Sequence, residues 1–215
     1  MYGLLYNSTH MLHLMPASLH EGGVLIKYSQ RSIPARPLLF SNSKYRRMTF
    51  EQVYEIILDF IGQSPYSEYR LSIGTDSQVT KHTLFVTAIH LHRIGKGAIG
   101  FITRHVIGRP IYSLREKIYY ETSKTMEVAA LFDPDVLDGM LDILINPSSS
   151  YGDIFFEFHL DIGTKGATRD LINEMVAMAS ATPFEPKIKP DSYAASSYAN
   201  RYTKYSDIYR KNKLR

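Results

Sequence analysis

The chain has 215 residues, of which 44% are hydrophobic and 21% charged, as in folded globular proteins rather than disordered ones. It contains no cysteine, which excludes a disulfide scaffold, a thiolate zinc site and a cysteine nucleophile. The net charge of +4 is mildly basic, and no apolar run approaches the roughly 20 residues of a membrane-spanning helix. We therefore expect a cytoplasmic protein without membrane spans.

The two ends of the chain differ in composition from its middle. Residues 1–38 show neither helical nor strand periodicity and are interrupted by prolines and a Gly-Gly pair, so an irregular N-terminal extension is predicted. Residues 206–215 are rich in lysine and arginine and are predicted to form a basic tail. Residues 39–205 are predicted to form one domain, since the chain is short for two full α/β domains.

The first half of this domain predicts a helix followed by three strands. In MTFEQVYEIILDFIGQSP the apolar residues recur at helical spacing, with Thr49 and Gln52 placed as a capping box. The segments YRLSIGTDSQ, TLFVTAIHLHRI and AIGFITRHVI are rich in β-branched and aromatic residues. Gly95 and Gly97 predict an antiparallel hairpin between the last two, and the first strand is expected to end in a polar turn at GTDSQ.

The second half predicts helices alternating with strands. Ser113 is expected to cap a long helix that ends near Asp133, and a second helical segment is expected at about 135–145. The strand DIFFEFHLDIG, the helix GATRDLINEMVAMASA and the returning strand PFEPKIKP form a βαβ unit, whose proline-flanked last strand suits a sheet edge. A last helix is expected from about Asp191. The order predicts an α/β fold with a mixed sheet, three antiparallel strands followed by parallel strands, flanked by helices.

Four carboxylates occupy positions suited to holding divalent metal ions. Asp76 and Asp161 follow the first and fourth strands, so they lie roughly 5 Å apart if those strands are parallel neighbours. Glu121 shares the buried stripe of its helix with Ile118, where a metal would compensate its charge. Asp191 opens the last helix. Two Mg²⁺ or Mn²⁺ ions about 4 Å apart, held by such carboxylates, support phosphodiester cleavage.

The three aspartates also have purely structural interpretations. Asp76 and Asp161 would serve as turn residues that satisfy backbone donors in GTDSQ and LDIGTKG. Asp191 would serve as an ordinary N-cap after a proline, which is an equally good explanation of that residue. The joint placement of Asp76 and Asp161 at two strand ends in a consistent topology favours the metal site.

The whole pattern resembles the ribonuclease H-like superfamily: strand with Asp, two antiparallel strands, helix with Glu, strand with Asp, helix, strand, and helix beginning with Asp. More closely, IGTDSQ, HRIGKGA, SLREK, HLDIGTKGATRDLI and KPDSYAAS are similar to the YkuK-like family of predicted ribonuclease-H-related proteins, over residues 40–204. The resemblance implies a sheet with its first and fourth strands adjacent. It also implies a metal-dependent nuclease that acts on RNA or another nucleic acid through Asp76, Glu121, Asp161 and Asp191.

Two details of the resemblance leave choices open. The string TMEVAAL is similar to the helix segment that carries the ribonuclease H glutamate, so Glu127 is an alternative to Glu121. Many ribonucleases H have glycine after the first aspartate, whereas Ser77 and Gln78 follow Asp76, which argues against a specific preference for RNA–DNA hybrids.

Two other functions fit the sequence. The chain would be a non-catalytic nucleic-acid-binding or interaction module if it kept the fold without the chemistry. It would be a nucleotide-phosphate binder if LDIGTKGAT, with Lys165, cradled a phosphate at a helix N-terminus.

Several histidines and tyrosines have structural and functional interpretations side by side. His90 and His92 share one strand face, but a pair without a third ligand is weak evidence for a metal. His159 is expected to be hydrogen-bonded between sheet and helix, with only Asp161 of its strand reaching the site. The tyrosines near the C-terminus either stack on bases or line an amphipathic helix; they are Tyr193, Tyr198, Tyr202, Tyr205 and Tyr209.

Overall fold

The structure is a computed structural model, and it describes residues 37–144, 152–164, 168–192 and 195–203. The predicted extension and basic tail lie outside these ranges, except for residues 37–38. None of the helices in the described ranges is long and apolar enough to cross a membrane.

Helices and strands follow one another largely in the predicted order. They are α1 (Phe50–Gly62), β1 (Glu68–Val79), β2 (Thr83–Arg93), β3 (Gly97–Ile107), α2 (Leu114–Ala129), α3 (Pro134–Leu144), β4 (Asp153–Gly163), a 3₁₀ turn (Arg169–Leu171), α4 (Ile172–Ala179) and β5 (Glu185–Lys189). Residues 195–203 are also helical and are called α5. The capping box of α1 is present, with the Gln52 amide donating to the Thr49 hydroxyl.

The five strands form one sheet in the order β3-β2-β1-β4-β5. β1 pairs antiparallel with β2 and β2 antiparallel with β3, whereas β1–β4 and β4–β5 are parallel. The predicted fold class is therefore confirmed: three antiparallel strands, then parallel strands, with β5 at an edge. Gly95 and Gly97 have φ of 73° and 105° in the β2–β3 turn, a conformation that glycine adopts without steric cost.

Helices cover both faces of the sheet because alternate residues of the strands are apolar on each side. The larger core joins α1–α4 to one face, through residues such as Leu71 of β1 and Leu91 of β2. On the opposite face Ala199 of α5 packs with Val86 and Ile102. The sheet thus has an apolar core on each face. Successive side chains of β1 point alternately to one core and to the other.

Predicted boundaries were wrong in β1, in α2 and in the last helix, since Asp191 lies in a turn and the described helical residues are 195–203. GTDSQ is not a turn, because β1 continues to Val79 and pairs with β2 as far as Thr83. α2 ends at Ala129, before Asp133, since tighter hydrogen bonds from Leu131 and Phe132 close its last turn.

Candidate metal centre

Asp76 and Asp161 lie at equivalent positions of two neighbouring parallel strands. The last parallel pair in this part of the sheet joins Gly74 to His159, and each aspartate comes two residues later on its own strand. β1 goes on pairing with β2, with Asp76 opposite Val86, while β4 departs from regular pairing beyond His159. The two carboxylates therefore stand where β1 and β4 separate, at one end of the sheet.

Asp76 faces α5. Its Oδ2 atom accepts a hydrogen bond of 2.8 Å from the Thr203 hydroxyl. Burial raises the pKa of Asp76, the charge of Asp161 raises it further, and the Thr203 hydrogen bond opposes the rise. Because the charge of one carboxylate raises the pKa of another only at short range, Asp161 lies near Asp76.

Glu121 reaches the same region from α2, on the other face of the sheet. It is 9% exposed, and its Oε1 atom accepts a 2.6 Å hydrogen bond from the Ser77 hydroxyl and lies 4.0 Å from Lys117 Nζ. Burial raises the pKa of Glu121 to about 7, and the charges of Asp76 and Asp161 contribute to the rise. Three carboxylates from β1, α2 and β4 therefore form one cluster, which we call the carboxylate cluster.

Asp161 forms an ion pair with Lys189 from the adjacent strand β5. Lys189 Nζ lies 2.7 Å from Asp161 Oδ1, and both side chains are partly exposed. Behind them a small cavity of about 10 Å³ is lined in part by Glu121, Asp161 and Thr75. This volume is about the minimum that one water molecule needs, and the lining mixes polar side chains with apolar ones such as Ile118 and Leu160.

Within the described residues, neither Asp191 nor Glu127 contacts a residue of the carboxylate cluster. Asp191 is exposed in the turn after β5, where its amide donates to the Ile188 carbonyl, and residues 193–194 between it and α5 are not described. Glu127 is exposed on α2 and pairs with Lys124 at 2.6 Å. Of the two glutamates considered for this helix, the structure therefore places only Glu121 beside Asp76 and Asp161.

Comparison with known proteins places this arrangement in a family. Residues 52–204 match the family described as Ribonuclease H-like, which is more than half of the chain. The chain belongs to the ribonuclease H-like family. It is also 50% identical over 175 residues to the "Uncharacterized protein YkuK" of Bacillus subtilis (strain 168), covering 79% of this chain and 99% of that protein. No solved structure gives a significant match.

The donor chemistry of this ribonuclease H-like chain fits a hard divalent cation. All three cluster residues offer carboxylate oxygens, the ligands that Mg²⁺ and Mn²⁺ prefer. Within the described residues, no hydrogen bond reaches Oε2 of Glu121 or Oδ2 of Asp161, so each keeps a free oxygen. Among those same residues, however, no three acidic or histidine side chains converge closely enough to hold one ion as they stand. Side-chain rotation would be needed to complete a ligand set.

The carboxylate partners were missed from the sequence. Thr203 and Lys189 are far in sequence from the aspartates they contact, so no local pattern indicates them. Lys117 precedes Glu121 by one helical turn, and that spacing could have indicated the contact. Ser77 alternates with Asp76 on β1, which explains why its hydroxyl faces α2.

The histidine of β4 is structural, as predicted. His159 is 2% exposed, its Nε2 atom lies 2.8 Å from Glu157 Oε2, and its Nδ1 atom accepts from the Ala195 amide. These partners imply the neutral tautomer with the proton on Nε2. Glu157 also bonds Arg70 and Ser72, so this network ties α5 to β1 and β4. The phosphate-loop hypothesis involves Lys165, which lies outside the described residues.

Proposed function

We propose that the chain is a divalent-metal-dependent nuclease that cleaves phosphodiester bonds in RNA or another nucleic acid. The observation that carries the proposal is that Asp76 and Asp161 lie near enough to Glu121, in a ribonuclease H-like fold, for their charges to raise its pKa. A buried carboxylate beside two partly buried ones is unfavourable unless protons or cations compensate the charge, and the raised pKa of Glu121 reflects that cost. The absence of cysteine suits a reducing compartment, so we place this activity in the cytoplasm.

Each residue has an assigned part in this proposal. Asp76 and Asp161 would be shared ligands of two Mg²⁺ or Mn²⁺ ions, and Glu121 and Asp191 would complete the two coordination shells. Such ions lower the pKa of bound water and stabilise the charge that develops on the phosphate oxygens. Ser77 and Thr203 hold one oxygen each of Glu121 and Asp76, which orients the second oxygen. Supporting contacts of this kind are what a positioned metal site requires.

Binding and turnover can be measured separately to test this proposal. Isothermal titration of the full chain with Mn²⁺ should show saturable binding, which the Asp76→Asn variant loses. Single-stranded RNA, single-stranded DNA, duplexes and an RNA–DNA hybrid should then be incubated with Mg²⁺ or Mn²⁺, with EDTA as control. Cleavage of at least one of them that EDTA abolishes supports the nuclease; absence of both metal binding and cleavage contradicts it.

Lys189 is expected to weaken metal binding in the resting protein. Its ammonium group forms an ion pair with Asp161 Oδ1. A metal ion that binds Asp161 must therefore displace Lys189 or share the carboxylate with it. Replacing Lys189 by methionine should tighten Mn²⁺ binding roughly three- to tenfold, as expected from removing one nearby positive charge at a partly exposed position. Lys187→Met, on the same strand but paired with Glu185, is the matched control. Equal Mn²⁺ affinity in both variants would show that the Lys189 contact does not oppose the ion.

A non-catalytic nucleic-acid-binding module is the second candidate. The observation in its favour is that each carboxylate of the cluster already has a protein partner: Thr203, Ser77 or Lys189. A cluster satisfied in this way is stable without an ion. Steeply salt-dependent RNA binding, with no turnover in Mg²⁺ or Mn²⁺, would favour this function over the nuclease.

A further inference from the structure

A second cavity lies on the α5 face of the sheet, away from the carboxylate cluster. It has a volume of about 400 Å³, within the range of small-molecule sites, and opens between the β2–β3 hairpin and α5. Its lining is His90, His92, Gly97, Ala98, Ile99, Ser197, Tyr198 and Arg201. We call it the hairpin cavity. None of its lining residues is assigned to the metal centre.

The walls of the hairpin cavity combine an aromatic surface with nitrogen donors. The rings of His90 and Tyr198 lie 5.6 Å apart, and those of His90 and His92 lie 6.2 Å apart. Tyr198 is held over Gly100, whose carbonyl accepts its hydroxyl at 3.1 Å, and a Cβ at Gly100 would come within 2.5 Å of the ring. The position of this ring therefore depends on the glycine.

The polar groups of the cavity are short of partners. The Nδ1 atom of His90 is buried and has no hydrogen-bond partner, a situation that costs free energy in a folded protein. In the part of the chain that the structure describes, neither His92 nor Arg201 forms a side-chain hydrogen bond or ion pair. No carboxylate is found among the lining residues. A ligand that accepts hydrogen bonds and carries negative charge would satisfy His92 and Arg201.

The electrostatics of the cavity also favour an anion. Burial, which has the largest effect, and the neighbouring His92, His159 and Arg201 together lower the pKa of His90 to about 4. Arg201 is a permanent cation and no carboxylate lines the cavity, so the potential in the cavity is positive. Positive potential in a cleft attracts phosphate groups.

The hairpin cavity and Asp76 are on the same face of the sheet. Asp76 is opposite Val86 on β2, and His90 is four residues farther along that strand, about 13 Å at the rise of a β-strand. Stacked nucleotides advance about 3.4 Å each, so a strand at the carboxylate cluster would reach the cavity within about four nucleotides. α5 connects the two places, since it carries both Tyr198 and Thr203.

We propose that the hairpin cavity binds one nucleotide of a nucleic-acid strand, with the phosphate beside Arg201 and the base against Tyr198 and Ile99. An aromatic side chain next to an arginine is a common way to hold a single-stranded nucleotide without reading its sequence. The imidazole of His92 and the hydroxyl of Ser197 then supply polar contacts to the base or sugar. The proposal rests on the proposed function for its substrate class and adds a second contact point some nucleotides from the chemistry.

Binding in EDTA tests this site independently of cleavage. A fluorescent eight-residue single-stranded RNA should be titrated with the full chain at several salt concentrations. Arg201→Gln should weaken binding about tenfold and reduce the slope of log affinity against log salt by about one, as expected for one lost phosphate contact. Ala98→Leu, which fills the cavity without changing charge, should weaken binding about fivefold or more if the base enters it.

A matched control and a ligand comparison sharpen this test. Lys96→Gln removes one positive charge from the exposed hairpin turn outside the cavity, and it should change affinity less than about twofold. Adenosine monophosphate should bind at least about tenfold more weakly than the oligonucleotide, because it makes one contact of several. Equal effects of Arg201→Gln and Lys96→Gln, no effect of Ala98→Leu, or mononucleotide binding as tight as the oligonucleotide would each overturn the proposal.

The outcomes for this site and for the nuclease can be told apart. Oligonucleotide binding that depends on Arg201 and Ala98, without cleavage in any metal, would retain the site and refute the nuclease. Metal-dependent cleavage with binding unaffected by either variant would retain the nuclease and refute the site. If each variant has the same thermal unfolding midpoint as wild type, its loss of binding is not a loss of fold.

Discussion

Replacing Asp76 by asparagine is expected to reduce metal-dependent cleavage by at least about a thousandfold while the protein stays folded. Asp76 is the proposed shared ligand, and several kcal/mol of transition-state stabilisation depend on such a ligand, at about 1.4 kcal/mol for each tenfold in rate. The fold should survive because the asparagine oxygen can still accept the hydrogen bond from Thr203. Single-turnover cleavage of the best substrate measures the rate, and circular dichroism of the same sample measures whether the protein is folded.

A control for this prediction is Asp135→Asn, which changes an exposed aspartate in the first turn of α3. It removes the same charge from the protein but touches no residue of the carboxylate cluster. Its cleavage rate should stay within about twofold of wild type, as is usual for surface substitutions away from a site. Cleavage that persists in Asp76→Asn at the rate of this control would exclude Asp76 from the chemistry.

The Glu121→Gln variant should remove a large pH dependence of stability. The pKa of Glu121 is raised from 4.5 to about 7 in the folded protein, so the folded state holds this proton more tightly than the unfolded state. Wild type should therefore be most stable below pH 4.5 as far as this group is concerned, lose stability between pH 4.5 and about 7, and level off above. The size of this loss is on the order of 3 kcal/mol, at about 1.4 kcal/mol per pKa unit.

Urea unfolding in EDTA at pH 4.5, 6 and 8 measures this effect. The difference in unfolding free energy between Glu121→Gln and wild type should grow in favour of the variant as pH rises. Glu127→Gln, an exposed position on the same helix, should follow the wild-type profile. If the unfolding free energies of wild type and Glu121→Gln change in parallel with pH, the raised pKa of a buried Glu121 is refuted. The metal-binding role of Glu121 would then lose its electrostatic support.

Much of the fold could be predicted because its signals are local. The capping box at Thr49, the glycines of the β2–β3 turn and the period of α2 each depend on residues a few positions apart. The pairing of β1 with β4 could not be derived in this way, and it came from resemblance to a family pattern. Predictions were wrong at GTDSQ, where turn-forming residues lie in a strand because β2 provides the partner for their backbone groups.

The candidate site shows the same division more sharply. Asp76 and Asp161 were expected at strand ends and lie near the carboxyl ends of β1 and β4, inside the strands, and the burial of Glu121 followed from the helical stripe. The partners of these carboxylates did not, since Thr203 and Lys189 come from elements far along the chain.

The sequence by itself determined the set of helices and strands and which face of each is buried, because periodicity and capping act between near neighbours. Only the tertiary structure decided which distant groups meet. It brought Lys189 to Asp161 and Thr203 to Asp76, and it left a cavity between α5 and the hairpin. Such contacts depend on how strands and helices from far parts of the chain pack together, and no single segment encodes that geometry.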